Sequence, residues 1–344
     1  MDFNHFLSSY LPDPSYGGRK MYQNMIDQAV HADNLGYKGV SIPEHHLINI
    51  LLVPAPLQLA VRIASLTKHV KLVTSICVLP LHDMRIFAGE IIQAQALCDD
   101  RLVVGVGRGA FGYELGRLDR DISQSREVFD ESLQVLEKLL AEEEVSWNGT
   151  HYNFEPLTVM PRPEGKIPLM LAVMAPGGIE AVAGKGYLVQ TTPLAADDAV
   201  LLDQVNAFKR GEEKARAAGK ETSLSLQRSI FLVRNAAEKQ RMLEKAADYY
   251  DRFDNVFTGP GIVQNGQIEP IRKNRSMEDL SRSLLICERD EMIDRLGFYA
   301  ETGIDEIIMS CGFGQTHQET LDMMQYFAED VMRHFSQPIA TSVA

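Results

Sequence analysis

Short apolar runs bounded by turn residues alternate along the chain with longer segments whose apolar positions recur at helical spacing, the pattern of βαβ units and a parallel sheet. Strands are predicted over residues 2–8, 39–43, 71–79, 102–107, 169–174, 188–192, 224–233 and 306–311. Helices are predicted over 20–35, 56–67, 85–98, 125–143, 178–184, 195–218, 236–253 and 317–334. Eight strands, each followed by a helix, predict an α/β fold: a single (β/α)8 TIM barrel over 1–335 with a tail at 336–344. An open doubly wound sheet with extra strands would give a similar pattern. Two segments interrupt the alternation. Residues 145–163, with Trp147-Asn148-Gly149 and Pro161-Arg162-Pro163, read as an insertion hairpin. Residues 255–278, polar and broken by Gly259-Pro260-Gly261, have the composition of a mobile lid or of an ordinary flexible loop.

Composition narrows the partners. The net charge of −13 and the lack of any run of five basic residues disfavour nucleic acid. No stretch of about 18 apolar residues is present to span a bilayer. The start, Met1-Asp2-Phe3-Asn4-His5, has no signal-peptide pattern, so a cytoplasmic location is expected. Cys77, Cys98, Cys287 and Cys311 form no CxxC pair and read as reduced packing residues.

In a barrel, chemistry belongs at the C-terminal ends of strands. Glu44-His45-His46 closes the second predicted strand, and a strand-end histidine there suits acid or base work near neutral pH. Neighbouring side chains on extended backbone diverge, which weakens a shared metal site, and no metal is expected. Two histidines simply hydrogen-bonded in a loop are the alternative. Gly107-Arg108-Gly109-Ala110-Phe111-Gly112 satisfies GxGxxG after a strand, but it lies in the fourth βα unit and no good helix is predicted at once after it. Together with Gly105, these glycines read as room for a ligand, with Arg108 adding positive charge. Arg126 opens the next helix near Ser123 and Ser125, where a hydroxyl cap and the helix dipole would join it. Two arginines at a helix start suit a phosphate, or else surface ion pairs. Met174-Ala175-Pro176-Gly177-Gly178 is a second candidate cradle, or a tight βα turn.

Together these pieces resemble the bacterial luciferase family of flavin-dependent monooxygenases over almost the whole chain. The resemblance is carried by Asn4-His5-Phe6-Leu7, Glu44-His45-His46, Val78-Leu79-Pro80, Gly107-Arg108-Gly109, Ser125-Arg126 and Ser310-Cys311-Gly312-Phe313. It implies a barrel in which reduced FMN and dioxygen form a flavin peroxide that oxygenates a small aldehyde or ketone. A separate NAD(P)H-flavin reductase would supply the reduced FMN. His45 would be the active-site histidine and His46 its supporting neighbour, with Glu114 near the flavin. Arg108 and Arg126 would hold the phosphate. Ser75, Ile76, Gly107, Met174, Ala175, Gly177, Gly178 and Thr191 would line the cofactor, with a cis peptide between Ser75 and Ile76. A homodimer is implied through the helices at 56–67 and 85–98, although Leu59, Ile63, Ile91 and Ile92 could equally cover the barrel. The sequence departs from the family where Gly107 replaces a reactive cysteine, so light emission is not expected. Ala175 and Gly178 replace a serine and a threonine at the phosphate. Rival readings are a deazaflavin-dependent oxidoreductase, a non-catalytic flavin-binding member, and a metal hydrolase using His45 and His46.

Overall fold

A computed structural model of the chain describes residues 1–194, 198–272 and 276–335. The predicted tail at 336–344, three residues of the lid segment and the first three of the helix predicted at 195–218 lie outside the described residues. Eight parallel strands are β1 (Asp2–Phe6), β2 (Gly39–Ile42), β3 (Lys71–Thr74), β4 (Leu102–Gly107), β5 (Leu169–Ala172), β6 (Leu188–Thr191), β7 (Leu224–Leu232) and β8 (Glu306–Ser310). Each pairs with its neighbour in chain order, and β8 returns to β1 with Asp2 opposite Glu306. The sheet is therefore a closed barrel rather than the open sheet that the same pattern allowed.

The helices are α1 (Gly18–Leu35), α2 (Pro56–Ala64), α3 (Met84–Leu97), α4 (Gly112–Arg117), α5 (Ser125–Ala141), α6 (Pro176–Gly184), α7 (Asp198–Ala217), α8 (Ala236–Phe257), α9 (Met277–Ser283), α10 (Arg289–Thr302) and α11 (His317–Phe327). Their apolar faces and the outward strand residues form the main core. A separate cluster of Val73, Val103 and Met170, with Leu188 against it, comes from four adjacent strands and fills part of the barrel interior. Gly105 belongs to this packing. A Cβ there would stand 1.9 Å from the Thr74 carbonyl oxygen and 2.8 Å from Met170 Cε, so strand approach rather than a ligand demands glycine.

Several expectations change. The run 71–79 is two strands: β3 stops at Thr74, the Ser75–Ile76 peptide is cis, and Cys77–Val78 pairs with the end of β4. A short helix, α4, follows the glycine-rich loop at once. Between α9 and β8 lie a strand, Leu285–Cys287, that extends beside the end of β7, and α10. Neither was expected. Residues 145–163 do contain a hairpin, Val145–Asn148 against Asn153–Leu157.

Residues 255–269 of this segment are held by more bonds than their composition implied. α8 runs into it, and the side chain of buried Asn255 donates to Ile262 O (2.9 Å) and Glu269 O (2.7 Å) and accepts from Ile262 N (2.9 Å). Asn49 Oδ1 accepts from Ile268 N at 3.0 Å. Polar anchors thus replace the apolar ones that a sequence scan looks for. Leu59, Ile63, Ile91 and Ile92 on α2 and α3 are buried against the barrel, whereas Ile86 (65% exposed) and Met160 (72%) lie open. Among the described residues no helix is long and apolar enough to cross a membrane.

Candidate active site at the C-terminal mouth of the barrel

Pro43 ends β2, and the next three residues diverge as alternation requires. Glu44 turns inward and is fully buried, accepting from Val78 N (2.7 Å), His46 Nε2 (3.0 Å) and His82 Nε2 (2.9 Å). Burial works to raise its carboxyl pKa, but the hydrogen bonds from His46, His82 and Val78 outweigh burial and hold it at about 2. The bond to Glu44 in turn raises His46 above the ordinary imidazole value, against a smaller effect of burial.

His45 points the other way. Its Nδ1 lies 2.8 Å from Glu114 Oε2, and the second oxygen of Glu114 accepts the His46 backbone N–H. Glu114 is itself buried and comes from α4, so the helix absent from the sequence reading is what delivers this carboxylate. A carboxylate at Nδ1 fixes the proton there and leaves Nε2 as the free basic nitrogen, with no protein partner among the described residues. The ring stacks on Phe111 at 4.3 Å. Phe111 meets Phe253 and Phe257 of α8 edge-on, and this apolar wall keeps water from one side of the histidine.

Across the barrel, Ser75 Oγ donates to Gln190 Oε1 (2.8 Å), and Gln190 Nε2 donates to Gln227 Oε1 (3.0 Å). These bonds join β6 and β7 to the end of β3 through the interior, so Gln190 is the inward residue of β6. Alternation sends Thr191 outward, where it is buried with its hydroxyl unpartnered among the described residues, while Gln190 faces the interior. A Cβ on Gly107 would stand 2.8 Å from Ile76 Cδ1, so this glycine accommodates the Ile76 side chain.

The anion-binding candidates lie on the β4–β5 side. Arg108 follows β4, is exposed, and has no ion-pair partner among the described residues. Arg126 stands in the first turn of α5 with Nε 3.8 Å from Asp130. The expected hydroxyl cap is absent: Gln124 is the cap residue, and Ser125 donates back to Ile122 O. Met174, Ala175 and Gly177 are exposed at the start of α6, which has no side-chain cap, and nothing stands within 4 Å of a Cβ on Gly177. That helix start therefore offers free N–H groups. No cluster of three or more metal-ligating side chains occurs among the described residues.

Sequence reading missed Gln190, Gln227 and His82. The first two carried a signal, a polar residue at an inward position of an apolar strand. His82 carried none, since only the fold brings it to Glu44.

The family model described as luciferase-like monooxygenase matches residues 1–306. A flavin-dependent trigonelline monooxygenase, oxygenase component, of Acinetobacter baylyi is 24% identical over 98% of this chain and 96% of its own. The crystal structure of a monooxygenase from Streptomyces bottropensis has a TM-score of 0.84 at 22% identity, covering 98% of this chain and all of that one. The oxygenating constituent of 3,6-diketocamphane monooxygenase from a Pseudomonas putida plasmid, a type II Baeyer-Villiger monooxygenase in complex with FMN, has a TM-score of 0.76 at 16% identity over 98% of this chain and 100% of that one. Coenzyme F420-dependent enzymes share the fold as well.

Proposed function

Since this chain belongs to the luciferase-like monooxygenase family, we propose that it is the oxygenase component of a two-component FMN-dependent monooxygenase acting on a small aldehyde or ketone. The observation that carries the reading is the His45–Glu114 pair, with His45 Nε2 free, at the same barrel mouth as an uncapped helix start and an unpaired Arg108. The residues fit a phosphate-bearing flavin: the start of α6 at Ala175, Gly177 and Gly178 offers backbone N–H groups, and Arg108 and Arg126 offer charge. When bound, reduced FMN supplies electrons to dioxygen, and the oxygenating chemistry is the cofactor's. The chain's own part is placement and proton handling. His45, held by Glu114, takes or returns a proton at Nε2, while Phe111, Phe253 and Phe257 exclude water. A separate NAD(P)H-flavin reductase delivers the reduced flavin, in keeping with the name of the Acinetobacter relative.

Mixing the chain, loaded anaerobically with FMNH2, with dioxygen in a stopped-flow instrument tests the reading. Oxygen consumption coupled to oxidation of a carbonyl substrate is the expected result. Tight binding of coenzyme F420 without dioxygen reactivity would replace it with the deazaflavin reading, and FMN binding without turnover would leave a flavin-binding protein.

Arg108→Ala is expected to raise the Kd for FMN by at least about tenfold, roughly 1.4 kcal/mol. Arg126→Ala should do less, because Asp130 already shares its charge. Fluorescence titration of FMN decides this; unchanged affinity in both variants would remove the phosphate site.

For assembly we propose a homodimer through α2, α3 and the insertion. The side chains that meet the partner are the exposed Leu66, Ile86, Leu97 and Met160 rather than the buried stripe. Light scattering should report a dimer at micromolar concentration and a monomer for Ile86→Asp.

A further inference from the structure

The hydrogen-bond network around Glu44 does not end at the mouth. His82 follows the short turn Leu79–Leu81, stacks on Phe87 with centroids 4.2 Å apart, and places Nε2 2.9 and 3.1 Å from the two oxygens of Glu44. It also lines a groove of about 410 Å³ between the start of α3, the start of α5 and the insertion hairpin. His46 binds the same Glu44 oxygen at 3.0 Å and does not line that groove. Both imidazoles are about one-quarter exposed, at 23% and 24%, while the carboxylate between them has no exposure.

One buried negative charge can balance one imidazolium. A second would leave an uncompensated positive charge in a poorly solvated place, which is costly. The two histidines therefore compete for a single proton. We propose that His82 is a positioning residue for His46, sharing one proton with it through Glu44, so that protonation of His82 from the groove it lines discharges His46. The proton balance closes. A proton taken from groove water at His82 Nδ1 is matched by one released from His46 Nδ1, the nitrogen not bound to Glu44, and Glu44 is anionic before and after.

Among the described residues, His46 and His82 are the only charged side chains that hydrogen-bond to Glu44. On the groove side, Asp83 is held by Arg85 (Nε to Oδ1, 2.9 Å), and Asp121 caps Ser123. Arg120 and His151 line the same groove, and Tyr152 donates to the His82 carbonyl at 3.2 Å. Near Glu44, burial pushes the Cys77 thiol up, so it stays neutral. Glu114 accepts the His46 backbone N–H, and its charge adds to the effect of Glu44 in raising His46. The bearing on catalysis rests on the flavin reading above, but the proton sharing itself does not, so either can fail alone.

The test is an NMR titration of the imidazole nitrogens in the flavin-free chain, for the wild type, His82→Gln and His46→Gln. Glutamine keeps a donor for Glu44, so the carboxylate stays in place. The midpoint of His46 is expected to rise by about one pH unit in H82Q, and that of His82 to rise equally in H46Q, because coupling is reciprocal. An unchanged midpoint, or a fall of His46 toward the ordinary value, would make His82 a structural support only and overturn the proposal. If H82Q does not fold, the reciprocal shift in H46Q decides alone.

Discussion

Replacing His45 by Ala is expected to slow the reaction of the reduced-flavin complex by about 10²–10⁴-fold, the range for loss of a positioned acid or base. The fold should survive. The side chain is partly exposed; it bonds to Glu114 and stacks on Phe111. Its removal leaves Glu114 attached to the His46 backbone N–H, so the loop keeps one of its two ties. FMN affinity should change little, since the phosphate candidates lie on the β4–β5 side. Glu114→Gln separates orientation from basicity. An amide keeps a contact to Nδ1 but does not hold a positive imidazolium as a carboxylate does, and it donates as well as accepts, so the free nitrogen is no longer fixed. This variant should also lose rate, and its pH profile should move. Circular dichroism, an FMN titration and stopped-flow rates on the same preparations separate the three effects. A His45→Ala rate within about twofold of wild type would take His45 out of the chemistry.

The barrel was legible because its signal is repetitive: apolar runs of strand length, each followed by helical spacing, eight times over. The His45 position was legible for the same reason, as the polar end of a strand. What escaped was set by contact rather than by period. α10 was passed over although Met292, Leu296 and Tyr299 recur at helical spacing and Gly303 ends it in the left-handed region with φ 89°. Eight strands had already been found, and Leu285–Cys287 is too short to demand a ninth. Gly105 and Gly107 suggested a ligand because a sequence does not show that Thr74 O and Ile76 Cδ1 occupy the space beside them. Which of Gln190 and Thr191 faces the interior is set by strand register, since in a strand one residue is the opposite face. Composition counts the apolar anchors of 255–278, but the amide groups of Asn255 and Asn49 anchor residues 255–269 through backbone atoms and the Gln267 side chain, partners that no composition reveals.

Glu44→Gln is expected to cost about 3 kcal/mol of stability at neutral pH. The carboxyl titrates at about 2 in the fold against an ordinary 4.5, and each unit of that difference is worth roughly 1.36 kcal/mol. The sign follows from the depressed value. Below the ordinary pKa the unfolded chain binds a proton that the folded chain refuses, so wild-type stability is fully present above about 4.5 and drains away as pH falls through 2. His46 acts at the other end: its raised value means that its share is present below the ordinary imidazole pKa and is lost as pH rises through the raised one. The glutamine variant lacks the acid limb, and its His46 limb shrinks to what Glu114 supplies. Its amide still meets one imidazole and can accept from Val78 N, yet it offers no charge to the pair of histidines. Guanidinium midpoints for both proteins across the acid range should therefore converge as pH approaches 2 and separate as it rises toward 5. Curves that stay parallel over that range would mean that Glu44 titrates alike in the folded and unfolded chains, and the charge-sharing between His46 and His82 would fall with it.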